Sequence, residues 1–113
     1  MSILAELNSL LHKIGVAAET GVFSDEAPAE YVVITPMTDT FEVFADNLPQ
    51  AEVQEARLSL FSKSNYQRRK NRIVTALLDN EFTITFRRYV GYDSDSGFHL
   101  YTIDVAREYE LEE

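Results

Sequence analysis

Cysteine and tryptophan are absent from this chain of 113 residues, and proline, glycine and histidine are scarce. Without cysteine, the chain has neither a disulfide framework nor thiolate ligands for a metal. Its 4 glycines provide little material for a phosphate-binding loop, and its 2 histidines, His12 and His99, are few for a catalytic or metal-binding set. The motifs GxSxG and HExxH do not occur in the chain. The sequence therefore predicts no enzyme activity, no cofactor and no metal site.

Long apolar runs are lacking as well. The N-terminal stretch MSILAELNSLLHKIG is apolar on one side only, because Glu6, Asn8 and Ser9 interrupt it, so it does not have the continuous core of a signal peptide. We therefore expect a cytosolic protein without a membrane span. With 113 residues and 45% hydrophobic content, a single domain over residues 1–113 is expected to bury its own core without disulfides or metals.

Basic residues are the minority charge, with 10 of them against 19 acidic ones and a formal net charge of -9. Such a charge repels polyanions and disfavours nonspecific binding to DNA or anionic lipid. Half of the basic residues nevertheless fall between Lys63 and Arg72. This concentration indicates either a docking surface for an anionic partner or one solvated face of a helix.

Two segments have the apolar periodicity of amphipathic helices. In the first, Ser2 is the expected N-cap and Gly15 is placed to end the helix. In the second, Ser64 and Gln67 have the spacing of a capping box, so a helix should begin near Asn65. Core burial is the expected role of both stripes, with a partner-binding face as the alternative for the first. The stripes are Ile3, Leu7, Leu10, Leu11 and Ile14, then Tyr66, Ile73, Val74, Leu77 and Leu78.

The second helix places its cations against the helix dipole. Arg68, Arg69, Lys70 and Arg72 lie in its first half, where the positive end of the dipole favours acidic residues. The cost is about a few tenths of a kcal/mol for each cation. Since local helix stability does not select this arrangement, it indicates an anionic neighbour. That neighbour is acidic surface from the same chain, another subunit or a phosphate backbone.

Extended segments surround the second helix. β-branched and aromatic residues predict strands near residues 16–23, 30–36 and 51–63, and in the third of these the expected core face is Gln54, Ala56, Leu58 and Leu60. The C-terminal third predicts a β-hairpin of residues 81–92 and 98–112 around the turn DSDSG. That turn superficially resembles a calcium loop, but its residues do not fall at the ligand positions, so a hairpin turn is expected.

Four features carry a family resemblance. They are the amphipathic first helix ending at Gly15, the strand entry EAPAEYVVI, the motif FADN from Phe44 to Asn47, and the strand end LSLFSK before the second helix. Together they resemble the small tail terminator, or tail-to-head joining, proteins of long-tailed phages and prophages of Gram-positive bacteria. The resemblance covers nearly the whole chain. It implies an α+β fold in which two α-helices pack on an antiparallel β-sheet, in the order α-β-β-β-α-β-β.

The resemblance also implies a function. Proteins of this family are structural subunits that assemble as a ring, commonly a hexamer, which caps the completed tail tube and receives the head connector. The implied partners are other copies of the chain, the tail tube protein and the head connector or completion protein, with no membrane and no specific nucleic acid. The implied location is the host cytoplasm during assembly and the tail or neck of the virion afterwards.

Residues 38–54 are the segment most in need of a partner, because they are too apolar for a solvated loop and too two-sided for an ordinary edge strand. We expect them to form a mobile arm or long hairpin that ring neighbours or the tail tube bury on assembly. Ordering such a segment costs about 1 to 2 kcal/mol of backbone entropy per residue, which partner burial must repay. Phe41 and Phe44 are the expected anchors, with Leu48 beside them.

The basic helix has two interpretations. In the ring, Arg68, Arg69 and Arg72 are predicted to form an intersubunit or neck-facing surface, because a few cations on so acidic a chain make few phosphate contacts. The alternative is a small nucleic-acid-binding regulator that uses the Lys63–Arg72 patch. Such a regulator needs aromatic or polar side chains beside the cations to touch bases, and the nearby candidates are Tyr66 and Asn65 or Asn71.

Overall fold

The computed structural model describes residues 2–20, 28–45 and 48–110, with the backbone alone described at 42–45 and 48–50. Within these residues, two helices and five strands follow one another in the predicted order, which confirms the α+β class. Their bounds are α1 Ile3–Lys13, β1 Ala18–Thr20, β2 Glu30–Ala45, β3 Leu48–Ser62, α2 Tyr66–Asp79, β4 Thr83–Asp93 and β5 Phe98–Glu110.

The described strands form one sheet in the order β1-β2-β3-β5-β4. Three of its pairs are antiparallel, as predicted, namely β2 with β3, β3 with β5 and β4 with β5. β1 instead runs parallel to β2, with Ala18 opposite Val32 and Thr20 opposite Ile34. The sheet is therefore mixed rather than purely antiparallel. Alternation in the sequence indicates the face of the sheet on which a side chain lies but not the direction of its strand. The parallel direction of β1 could therefore not be predicted from the sequence.

Helix α1 begins and ends as the sequence indicates. The Ser2 hydroxyl accepts a hydrogen bond from the Ala5 N–H at 3.2 Å. Gly15 has a φ of 78° and donates its N–H to the His12 carbonyl, an ending that suits glycine because a Cβ disfavours positive φ. The predicted stripe faces the core, with Ile14 partly buried and the other members, Ile3, Leu7, Leu10 and Leu11, fully buried.

Helix α2 is capped by Asn65, so the predicted capping box beginning at Ser64 is wrong by one residue. The Asn65 side chain accepts a hydrogen bond from the Gln67 N–H at 3.1 Å. Serine and asparagine are comparable N-caps, so spacing alone does not choose between neighbours. Most of the predicted stripe is buried or partly buried, but Leu78 is 58% exposed.

One buried cluster joins both helices to one face of the sheet, called here the helix face. On β3 the predicted core face is confirmed, since Ala56, Leu58 and Leu60 are fully buried and Gln54 is 9% exposed. Strand β5 contributes Tyr101, Ile103 and Val105 to the same cluster, and β2 contributes Val32 and Ile34. The alternate residues of these strands lie on the opposite face, called here the open face.

The β2–β3 hairpin is the longest feature of the fold. β2 has 16 residues and β3 has 15, and at about 3.3 Å per residue each strand extends roughly 50 Å. β1 borders β2 only from Val32 to Ile34, and β5 follows β3 as far as Ala51, which lies opposite Glu110. Residues 38–54, called here the arm, are thus the far end of this hairpin, with Asp46 and Asn47 outside the described residues. Mobility of the arm before assembly stays a prediction.

Candidate interaction surfaces

The three arginines predicted to form a surface on α2 have different environments. Arg68 is exposed. The Arg69 Nε donates a hydrogen bond to Glu30 Oε1 at 2.6 Å, and the Arg72 Nε donates one to the Ile14 carbonyl at 3.4 Å. For Arg69, the anionic neighbour that the helix dipole indicates is therefore in the same chain. Arg68 is the member of the three that is most available to a partner.

Glu30 is the centre of a small polar junction at the start of α2. Its Oε1 accepts from Arg69, and its Oε2 accepts from the Ser62 hydroxyl at 3.0 Å. Ser62 is fully buried and its Oγ also accepts from the Ser64 N–H at 3.3 Å. The junction fastens the first residue of β2, the last residue of β3 and the first turn of α2 to one another. Its chemistry is structural, because each of its charged groups has a partner.

Aromatic side chains fill the space between the start of α2 and the β4–β5 hairpin. Tyr66 stacks on Tyr89 and Tyr101, with ring centroids 5.1 and 5.8 Å away. The Tyr89 hydroxyl lies 2.9 Å from His99 Nδ1, and the His99 ring lies 4.7 Å from that of Tyr92. His99 is thus engaged by phenols rather than by an acid or a nucleophile. This cluster could not be predicted from the sequence, because it depends on the register of the hairpin strands.

A groove of about 450 Å³ runs between α2 and β4 on the helix face. The Lys70 Nζ lies 5.3 Å from the Tyr101 ring centroid, a cation–π contact, and Arg87 is exposed. β4 is the last strand of the described sheet, so no described strand pairs with its outer edge. The groove is lined by Lys70, Ile84, Thr85, Phe86, Arg87 and Tyr101, so it brings two cations together, and most of its exposed lining is polar.

The open face has its own aromatic cluster beneath the β4–β5 turn. Tyr31 stacks on Phe61 at 4.8 Å, and Phe98 meets both rings edge-on at 5.4 and 6.1 Å. The Lys63 Nζ lies 4.9 Å from the Phe98 centroid. Burial raises the pKa of the Tyr31 phenol. These residues border an apolar recess of about 490 Å³, where Val90 is 44% exposed.

The arm presents an aromatic side chain between acids. Phe41 is 57% exposed and lies opposite Glu52, and Asp39 lies opposite Gln54. Opposite residues of an antiparallel pair share a face, so Asp39, Phe41 and Glu52 lie on the helix face with Gln54. The backbones of the other two predicted residues pair at the hairpin end, Phe44 with Pro49 and Leu48 with Ala45, but their side chains lie outside the described part of the chain.

The arm and the basic helix do not meet within one chain. Arg69 contacts Glu30 at the start of β2, whereas Phe41 lies farther along the same strand by roughly 36 Å, at about 3.3 Å per residue. In comparisons with known proteins, no family model and no curated protein sequence matched the chain. A function must therefore be inferred from the surfaces themselves.

His12 on α1 and Asp93 in the DSDSG turn are the remaining titratable residues that the sequence analysis considered. Among the described residues, no group of three His, Asp or Glu side chains could hold a metal ion. His12 is exposed on α1. The Asp93 carboxylate accepts from the Ser96 hydroxyl at 2.9 Å and the Asp95 N–H at 3.0 Å, and these hydrogen bonds lower its pKa. Asp93 thus helps to close the predicted hairpin turn.

None of the described helices is long and apolar enough to cross a membrane.

Proposed function

We propose that the protein is a structural subunit of a phage neck: a tail terminator or head-tail joining protein that forms a homo-oligomeric ring, expected to be a hexamer. The ring would close the end of the tail tube and connect it to the head. The proposed role as a tail terminator comes from the family resemblance of the sequence. The distribution of exposed apolar side chains supports it physically.

That distribution is the observation on which the proposal rests. The largest exposed apolar side chains of the strands lie toward the two sides of the sheet, with Met37 and Phe41 on β2, and Phe86, Val90 and Tyr92 on β4. Such side chains indicate association when they cluster on a small soluble protein. Because the two sides are unlike, a contact between them is head-to-tail, and head-to-tail contacts that close generate rings.

The nucleic-acid-binding regulator is the second candidate, and one feature of the structure favours it. Tyr89 and Tyr92, exposed by 40% and 56%, extend the aromatic surface beside Tyr66 near the basic start of α2. Exposed aromatic rings beside cations can stack bases of a single strand. Against this, the guanidinium of Arg69 is already bound to Glu30, which leaves fewer cations for phosphates.

Size measurement separates the two candidates. Light scattering coupled to gel filtration should give about six times the subunit mass at assembly concentrations, and electron microscopy should show rings. Purified tails that lack a terminator should become capped when the protein is added. A monomer that binds nucleic acid in a salt-sensitive manner would contradict the proposal and support the regulator.

A variant tests the part of the arm. Phe41→Ser with Phe44→Ser should leave a folded monomer that forms no rings and caps no tails, because aromatic anchors contribute much of an interface. Leu78→Ser is the matched control, since Leu78 is 58% exposed on α2, away from the arm. If the double variant instead loses its thermal transition while the native chain is monomeric, the two aromatics belong to the subunit's own core.

A further inference from the structure

The arm and the groove between α2 and β4 are complementary in charge. We propose that the arm of one copy docks in the groove of a second copy, with the acids beside Phe41 facing Lys70 and Arg87. This inference rests on the proposed function, because it names the subunit contact through which the ring would form. The occupant of the groove is thus another molecule of the same chain.

The arm is uniformly acidic. Residues 38–54 contain 4 acidic residues and no basic one. Asp39 and Glu52 flank Phe41 on the helix face, and Phe41 is more than half exposed. The Ile3 N–H bonds to Gln54, so α1 begins at the level of Gln54. Beyond Gln54, Asp39 and Phe41 are exposed on the helix face, and Glu52 beside them accepts a hydrogen bond from Gln54 Nε2 at 2.9 Å.

The groove has the opposite character. Lys70 and Arg87 approach it from the two elements that form its walls, and Ile84 and Tyr101 lie between them on the helix face. Arg87 lies opposite Ile103, a core residue of β5, which places it on the helix face. A ligand that presents two carboxylates matches a site that presents two cations. The arm is such a ligand within this sequence.

The fold keeps the arm away from the groove of its own chain. β3 and β5 lie between β2 and β4 in the sheet, and both helices pack on the face that the arm would have to cross. Docking must therefore join two molecules. Because arm and groove are different surfaces, every copy can both give and receive an arm, as a closed ring requires.

Charge reversal of each surface tests the pairing. The groove variant Lys70→Glu with Arg87→Glu places four acidic groups against one another and should fail to assemble. The arm variant Asp39→Lys with Glu52→Lys should fail for the corresponding reason, with four basic groups in contact. For each variant alone, we expect self-association to weaken by about tenfold or more, as reversal of close interface charges does.

Mixing the two variants is the decisive measurement. Each arm then finds an oppositely charged groove on the other variant, so an equimolar mixture should assemble into mixed rings in which the variants alternate. Sedimentation velocity would detect the assembly, and differently labelled variants would show that both are present. The native assembly should also dissociate as salt concentration rises, because exposed charge pairs are screened.

Arg88→Glu is the matched control. Arg88 is adjacent to Arg87 and is also exposed, but it lies opposite Thr102 on the open face. It should leave assembly unchanged although its charge change is identical to that of Arg87→Glu. Circular dichroism melts of each variant establish that a loss of assembly is not a loss of folding.

The outcomes separate this inference from the proposed function. Native rings that persist in the groove variant would overturn the docking contact and leave the proposed function standing. Failure of the folded variants to assemble on mixing would overturn the pairing as well. Self-association through arm and groove without rings or tail capping would support the contact and contradict the tail terminator. A native chain that stays monomeric and binds nucleic acid through Lys70 and Arg87 would overturn both.

Discussion

Arg57 and Asp104 face each other across β3 and β5 and form a two-point ion pair, with Nε 2.7 Å from Oδ1 and Nη2 3.0 Å from Oδ2. The Asp104 side chain is only 9% exposed, whereas that of Arg57 is 43% exposed. A carboxylate so far from water needs a cation and hydrogen bonds to offset the hydration that it has lost. Because the residues lie directly opposite, their pairing also favours the observed register of the two central strands.

Removal of Arg57 should show how far the stability of the fold depends on the ion pair between Arg57 and Asp104. We expect Arg57→Ala to lower the free energy of unfolding by about 2 to 3 kcal/mol, because it leaves a buried carboxylate without its charged partner. Arg57→Lys should lose less, since it keeps the charge but not the two-point geometry. Urea unfolding at neutral pH measures both. Arg88→Ala is the control, with an expected change within about 0.5 kcal/mol, as at most exposed sites.

Local features of this fold could be predicted from the sequence, and long-range pairs could not. The burial of Leu7 and Leu11 in α1, and of Leu58 in β3, follows from the spacing of apolar residues. Arg57 and Asp104 are 47 residues apart, and Glu30 and Arg69 are 39 apart. Such pairs become visible only when strand order and register are known, because spacing in the sequence specifies a face and not a neighbour.

The interaction surfaces likewise include features that the sequence predicts and features that depend on long-range packing. Phe41 and Arg68 are exposed, but their part in an interface stays a prediction. The groove could not be anticipated, because Lys70 belongs to α2 and Arg87 to β4. These residues meet only through packing of the helix on the sheet. The cluster of basic residues in the sequence predicts a surface on the first half of α2 and does not indicate β4.

Gln54 should act as a second cap for helix α1. Its buried Oε1 accepts the Ile3 N–H at 2.8 Å, a first-turn donor that the Ser2 hydroxyl does not reach. Gln54→Leu leaves that N–H without a partner in a buried position, at an expected cost of about 1 to 3 kcal/mol. Gln54→Glu keeps an acceptor oxygen for the Ile3 N–H, so it should protect that amide from exchange, although it also places a carboxylate against Glu52, to which Gln54 Nε2 donates at 2.9 Å. Hydrogen exchange of the first turn should accelerate in Gln54→Leu, and an unchanged rate would contradict the capping role.

Arg68 and Arg69 should differ sharply although they are neighbours in α2. Arg69→Glu places a like charge against Glu30 and breaks the junction, with an expected cost of about 2 kcal/mol. Arg68→Glu changes an exposed residue and should alter the free energy of unfolding by less than about 0.5 kcal/mol. Thermal melts of the two variants measure the difference. Variants that test the basic surface on α2 should therefore change Arg68 alone. Equal destabilisation by Arg68→Glu and Arg69→Glu would contradict this prediction.

Tyr109 should make the protein sensitive to alkaline pH. It is 8% exposed, and its hydroxyl donates to Glu6 Oε2 at 2.7 Å. Burial, and then the hydrogen bond to the Glu6 carboxylate, raise the pKa of the Tyr109 phenol. The folded chain thus retains a proton that the unfolded chain releases near the ordinary tyrosine pKa of about 10. Its contribution to stability is complete below that pH and declines as pH rises toward the folded-state pKa.

Tyr109→Phe removes both the hydrogen bond and this proton. At pH 8 the variant should be less stable than the native chain by about 1 to 2 kcal/mol, because Glu6 loses a donor. Between pH 10 and 11 the native chain should lose up to about 1.4 kcal/mol more than the variant, the value of one proton per pH unit. Urea midpoints at both pH values measure the two terms. Tyr92→Phe, which removes a phenol from a side chain that is 56% exposed, is the control. A difference between native chain and Tyr109→Phe that stays constant with pH would show that Tyr109 titrates alike in both states.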